Sequence, residues 1–305
     1  MRKSILILTG ILTISAGCLK VEDIDTGTSE VHSVSFTIDP FMNGDEATKT
    51  SFWGNGAFYW AEHDTVGVYP NTGSQVYFAM TSGAGASTAE FDGGGWAFKS
   101  ASTYYSYYPF IGDIYLNRTH IPVSYRGQKQ TGTTQRDHIG PYDFMYTSAT
   151  PAVGGIVSFG YHHLSCIIDM ILTLPAGTYT KLAITAPSSV FTMEGYYNLT
   201  SADPSIVPTQ TSRMIVIDLE GITLTSQTSF DVYLLSAPVD LKGVQVTVSV
   251  VNGEETELQC YKTPSKSYLK QNLYGLTCNS WTEVPQTVSI NIGDWEQDTH
   301  HGQVN

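Results

Sequence analysis

The 305-residue chain is short of charge, of cysteine and of long apolar runs, and each shortage excludes a class of protein. Charged residues make up 14% of it, against about 25% in an average globular domain, and 15 basic residues face 28 acidic ones. A surface so poor in Lys and Arg repels phosphate backbones and anionic lipid, so no nucleic-acid partner is expected. Its four cysteines include no C-x-x-C pair, which excludes a zinc ribbon or a dithiol redox motif. The longest apolar run, Ile5 to Ile14, is broken by Thr9, Gly10 and Thr13 and falls short of the roughly 20 residues that span a bilayer. G-x-S-x-G, H-E-x-x-H and P-loop patterns are absent too, so no catalytic residue, resident metal or cofactor is expected and the chain reads as a non-enzyme.

What is present begins with an export signal. Arg2 and Lys3 precede the apolar run, and Ser15-Ala16-Gly17-Cys18 ends it, so residues 1–17 read as a signal peptide. Small residues before Cys18 resemble a bacterial lipobox, with Ser15 where Leu is more usual. The resemblance implies lipidation of Cys18 and anchoring to the outer membrane, since two or more acyl chains hold far more firmly than one. Residues 18–33, with Glu22, Asp23 and Asp25, have no apolar periodicity and read as a flexible tether. Loss of residues 1–17 leaves 13 basic residues and a net charge near −15.

Beyond the tether the composition is that of pleated sheet: 19 Tyr and 28 Gly, with many Thr, Ser and Val. Alternating runs recur at short intervals from Val34–Ile38 onward, including Ala57–Trp60, Thr65–Tyr69, Gln75–Met80, Trp96–Phe98 and Tyr104–Phe110. Residues 112–140 read as looser and Gly/Gln-rich. A Pro/Gly connector at 149–155 suggests two domains, 34–150 and 151–305. The apolar run Ser165–Leu174 is β-branched and stopped by Pro175, which favours a central buried strand over a helix. An all-β pair of sandwiches follows.

Polar clusters give little chemistry. Glu62-His63-Asp64 reads as a turn, because neighbouring side chains diverge and cannot close one metal site. His162 and His163 face opposite sides of a strand, and one is expected to hydrogen-bond between domains. His300-His301 lies in a polar tail. Of Tyr104, Tyr105, Tyr107 and Tyr108, alternation buries two; core filling is the favoured role of the group, with a contact surface for glycan or protein as the alternative. With Cys18 lipidated, Cys260 and Cys278 either pair or stay as buried thiols, the second being favoured.

Several motifs in order resemble the fimbrillin-like, type V pilus subunit family of Bacteroidetes. They are Thr48-Lys49-Thr50, Trp60 to Tyr69, Ala89-Glu90-Phe91-Asp92-Gly93, Tyr104 to Pro109, Gln128-Lys129-Gln130, Phe159 to Ser165, Leu269 to Leu276 and Ile292-Gly293-Asp294-Trp295. The resemblance implies two tandem transthyretin-like Greek-key β-sandwich domains and a surface lipoprotein that builds a fimbria mediating adhesion. It further implies pilin partners, self or related, and a host or bacterial surface ligand. A trypsin-like protease would cut after Lys49, where Arg is more usual, and release the strand carrying Val34, Phe36 and Ile38. A neighbour's Val288, Ile290 and Ile292 would fill the vacated edge, as an extended donor restores an open ladder. The competing expectation is a surface lipoprotein that binds glycan or host protein without polymerising.

Overall fold

The computed structural model describes residues 33–43, 58–93, 101–112, 116–150, 156–253 and 256–284. Among them regular structure is all strand except for one 3-10 turn, Gly140–Tyr142. The first ten strands are β1 (Ser33–Ile38), β2 (Met42–Asn43), β3 (Thr65–Pro70), β4 (Val76–Ser82), β5 (Thr88–Asp92), β6 (Tyr104–Tyr108), β7 (Ile121–Ser124), β8 (Gln128–Thr131), β9 (Met145–Ala149) and β10 (Ile156–His163). Then come β11 (Cys166–Leu174), β12 (Gly177–Thr185), β13 (Phe191–Tyr197), β14 (Val207–Ser212) and β15 (Met214–Leu224). The last five are β16 (Thr228–Ser236), β17 (Val246–Asn252), β18 (Glu257–Lys262), β19 (Asn272–Cys278) and β20 (Thr282–Val284).

Seven strands close into a barrel in the order β1-β10-β9-β6-β3-β4-β5. The rest form sheets of four strands (β16-β11-β19-β2), six (β20-β18-β17-β12-β15-β8) and three (β14-β13-β7). Strands cross the expected division at 150/151 in both directions. β10 follows it yet closes the barrel, while β2, β7 and β8 precede it and join the later sheets. Such long-range pairing leaves no mark on local periodicity.

The long apolar run forms β11, paired with β16 on one side and β19 on the other, and buried on both faces as expected of a central strand. Phe58–Trp60, expected as strand, has no regular structure, yet Phe58 and Trp60 are buried. The expected strand at 96–98 lies outside the described residues. The stretch read as loose contains β7 and β8, each with alternating burial.

In β8 the buried side chains are glutamines, and they explain why the stretch looked polar. Gln128 Nε2 donates to Leu235 O at 2.8 Å, and its Oε1 accepts from Leu235 N at 2.8 Å. Gln130 repeats the clamp on Asp231 O (2.9 Å) and Tyr233 N (3.0 Å). Two amide side chains thereby complete the outer ladder of β16 as a strand would, which masks an otherwise open edge.

In β6 three of the four tyrosines are buried rather than two, because both faces of this barrel strand are covered. Tyr107 lies across β3, where a Cβ on Gly67 would come within 2.2 Å of its ring, so only glycine fits there. Its hydroxyl donates to Gln75 Oε1 at 2.9 Å.

Candidate functional site

The sequence singles out Val34, Phe36 and Ile38, and the structure places all three on one strand that completes the barrel. β1 runs parallel to β10 over six residue pairs and antiparallel to β5 over three. Its sequence alternates, and so does its burial: Phe36 and Ile38 are fully covered and Val34 is half-buried. The Phe36 ring lies 4.5 Å from Phe91, 5.1 Å from Phe159 and 6.0 Å from Phe78. Outward, Ser35 Oγ donates to Ser158 Oγ (3.0 Å), and the Thr37 and Thr88 hydroxyls share a bond of 3.0 Å.

β1 has no hairpin partner: its neighbours in the ladder lie more than fifty residues away in sequence. No local turn is therefore built on it. It covers the rings of Phe91, Phe159 and Phe78 and pairs with both β5 and β10.

Past β1 the chain is held by groups that strand alternation does not reveal. Phe41 is buried, its ring 3.9 Å from the His163 imidazole and 6.2 Å from Phe58. His163 Nδ1 lies 2.8 Å from Asp143 Oδ2, and its Nε2 lies 2.6 Å from Asp39 O. His162 faces the other way and pairs with the Asp39 carboxylate at 2.6 Å. β2 then joins β19 of the four-stranded sheet, so the N-terminal segment straps two sheets together. The adjacent histidines were the legible signal; the aromatic seat under them was not.

Other sequence candidates fall elsewhere. Glu62, His63 and Asp64 form a turn, in which Asp64 accepts from Ala61 N (2.7 Å) and from Tyr108 Oη (2.9 Å). Cys166, Cys260 and Cys278 are free and buried, and burial pushes the Cys166 thiol up to about 12. Cys18, Lys49, Val288, Ile290 and Ile292 lie outside the described residues.

A second polar cluster sits on the four-stranded sheet, at β11 and β16. Asp169 is buried with one carboxylate oxygen unpartnered, close to Asp231, Arg136 and Tyr233. His138 caps the same spot through Nε2 to Tyr233 O at 2.8 Å. Burial, reinforced by the Asp231 charge and opposed by Arg136, raises Asp169 to about 7 from the ordinary 3.8. Between those pH values the fold keeps a proton that the unfolded chain has released, so the group's contribution to stability falls as pH rises. The whole fall amounts to about 4 kcal/mol at most. Asp169→Asn is therefore expected to be more stable than wild type above pH 7 and to lose the advantage at pH 4, as chemical denaturation at the two pH values would measure.

The geometry defines an all-β protein whose first strand closes a barrel between β5 and β10, with the tyrosine run spent largely on core packing. The chain has the fold of a candidate cell adhesion protein from Bacteroides ovatus, with a TM-score of 0.52 and 14% identity, covering 83% of this chain and 94% of that one. A candidate cell adhesion protein from Bacteroides uniformis is similar with a TM-score of 0.50 and 14% identity, over 74% and 92%. No family model matches the chain, and no curated protein aligns with it significantly. The structural neighbours agree with the all-β fold expected from the sequence.

Proposed function

We propose that this chain is an exported subunit of a type V pilus-like fimbria, assembled by strand exchange at the β1 position and serving adhesion at the cell surface. The observation that carries the reading is β1 itself: a strand remote in sequence from both neighbours, with two fully buried apolar side chains, followed by a segment containing Lys49. Cutting after Lys49 severs β1, Phe41 and β2 from the rest of the chain together. The adhesion assignment of the two solved structures supports the same reading. In it Cys18 carries the lipid until processing, other subunits are the partners, and the chain has no catalytic role.

Limited trypsin digestion of the native protein tests the processing step. Cleavage is expected first after Lys49, with the bulk of the chain resistant, because paired strands resist proteolysis. Earlier cleavage at Lys181 or Lys242, with residues 34–60 protected, would contradict it.

A further inference from the structure

Three of the four cysteines lie in the described fold, and they are not alike. The Cys166 thiol, on β11, is directed at the backbone oxygens of Ser236 (3.4 Å) and Ala237 (3.7 Å). Cys260 and Cys278 face each other. The first lies on β18 of the six-stranded sheet and the second ends β19 of the four-stranded sheet, and their thiols are hydrogen-bonded to one another. Both are buried, at 3% and 0% exposure.

The path of the chain brings them together. Along β19 the alternate side chains of Tyr274, Leu276 and Cys278 are buried, so Cys278 is the last of an inward row. Residues 279–281 then carry the chain from the four-stranded to the six-stranded sheet, where Thr282 of β20 pairs with Gln259, the neighbour of Cys260. Trp281 fastens this crossover, donating from Nε1 to Thr173 O at 2.8 Å. On its other side Cys260 is registered against Val248 of β17, which is fully buried. Pairing register and crossover together put two thiols in contact that sequence spacing alone does not.

Resting on the proposed function only for export to an oxidising compartment, we infer that Cys260 and Cys278 form a disulfide in the mature protein, stapling β18 to β19 across the crossover. Disulfides form and persist in such compartments. The oxidant is the disulfide of a thiol oxidoreductase or of a small thiol. One cysteine thiolate attacks it, forming a mixed disulfide and expelling one thiol. The other thiolate then attacks the cysteine sulfur of that mixed disulfide, forming the Cys260–Cys278 bond and expelling the second thiol. The chain gives up two electrons and two protons, and the oxidant is reduced to two thiols. Burial holds the Cys278 thiol well above its ordinary pKa, and Cys260 beside it adds to the rise, so the closed fold offers little thiolate. The exchange therefore belongs to folding, before the two sheets close. Cys166, held by backbone oxygens, takes no part.

The test maps the linkage in the full-length chain. Two samples are compared: protein from the cell envelope, and purified protein that has been reduced, unfolded and refolded with oxidised glutathione. Each is alkylated in denaturant and digested with trypsin without reduction. In both, the peptide ending at Lys262 is expected to be joined to the one beginning at Gln271, with Cys166 alkylated. The oxidised protein is also expected to resist unfolding more than the same protein after reduction, by on the order of 100-fold in the unfolding equilibrium constant, as closing a loop of this length predicts. Alkylation of Cys260 and Cys278 in both samples, or a linkage through Cys166, would overturn the inference. Linkage after refolding, with both residues alkylated in the envelope sample, would uphold the pair as a disulfide site and overturn export to an oxidising compartment. Equal stability of the oxidised and reduced protein would overturn the staple.

Discussion

The double substitution Ile290→Asp and Ile292→Asp is expected to abolish polymerisation while leaving the monomer folded with its stability unchanged. In the strand-exchange reading these residues belong to the donor and replace apolar side chains of β1, and each buried apolar side chain contributes roughly 1.5 to 3 kcal/mol. Two carboxylates in that apolar cleft would have to shed their charge or their hydration, so the joint would not form. The competing arrangement is a permanent last strand belonging to the molecule's own core. In that case the monomer itself should lose several kcal/mol and misfold. Thermal unfolding of the monomer and sedimentation of the processed protein separate the two outcomes.

Phe36→Ala is the substitution within the described fold with the largest expected cost, about 3 to 5 kcal/mol. The ring is fully buried and packs against a ring from each of β4, β5 and β10. Trp60 Nε1 also donates to Phe36 O at 3.3 Å, so loosening β1 loosens the segment leading into β3. Val34→Ala, at a half-buried position on the same face, should cost far less. Equal effects in urea denaturation would mean that β1 does not fill the barrel as described. Because Phe36 lies on the segment proposed to leave, its substitution should also speed displacement of β1 by a donor peptide.

Much of this was legible in the sequence where the cause is local. Val34-Ser35-Phe36-Thr37-Ile38 alternates because one side meets the barrel interior and the other meets water, and the strand appears where the alternation put it. β11 was legible for the opposite reason: a strand sheeted on both sides and buried on both faces tolerates few polar residues. Gln128 and Gln130 misled because their polarity is satisfied by backbone of β16, about a hundred residues away. Phe41 escaped notice because it lies off the strand, and its pocket is assembled from Phe58 and His163, which only the folded barrel brings together. The division of the sheets was illegible for a related cause, since β10 and β2 pair across the connector and composition reports only where the chain turns.

The central claim is that β1 leaves and a neighbour's strand replaces it, and N-terminal sequencing of fibres sheared from the cell surface tests it most directly. Assembled subunits are expected to begin at Thr50, with residues 18–49 missing and the lipid on Cys18 gone with them. Fibres whose subunits still begin at Cys18, with β1 protected from protease inside its own barrel, would contradict the account.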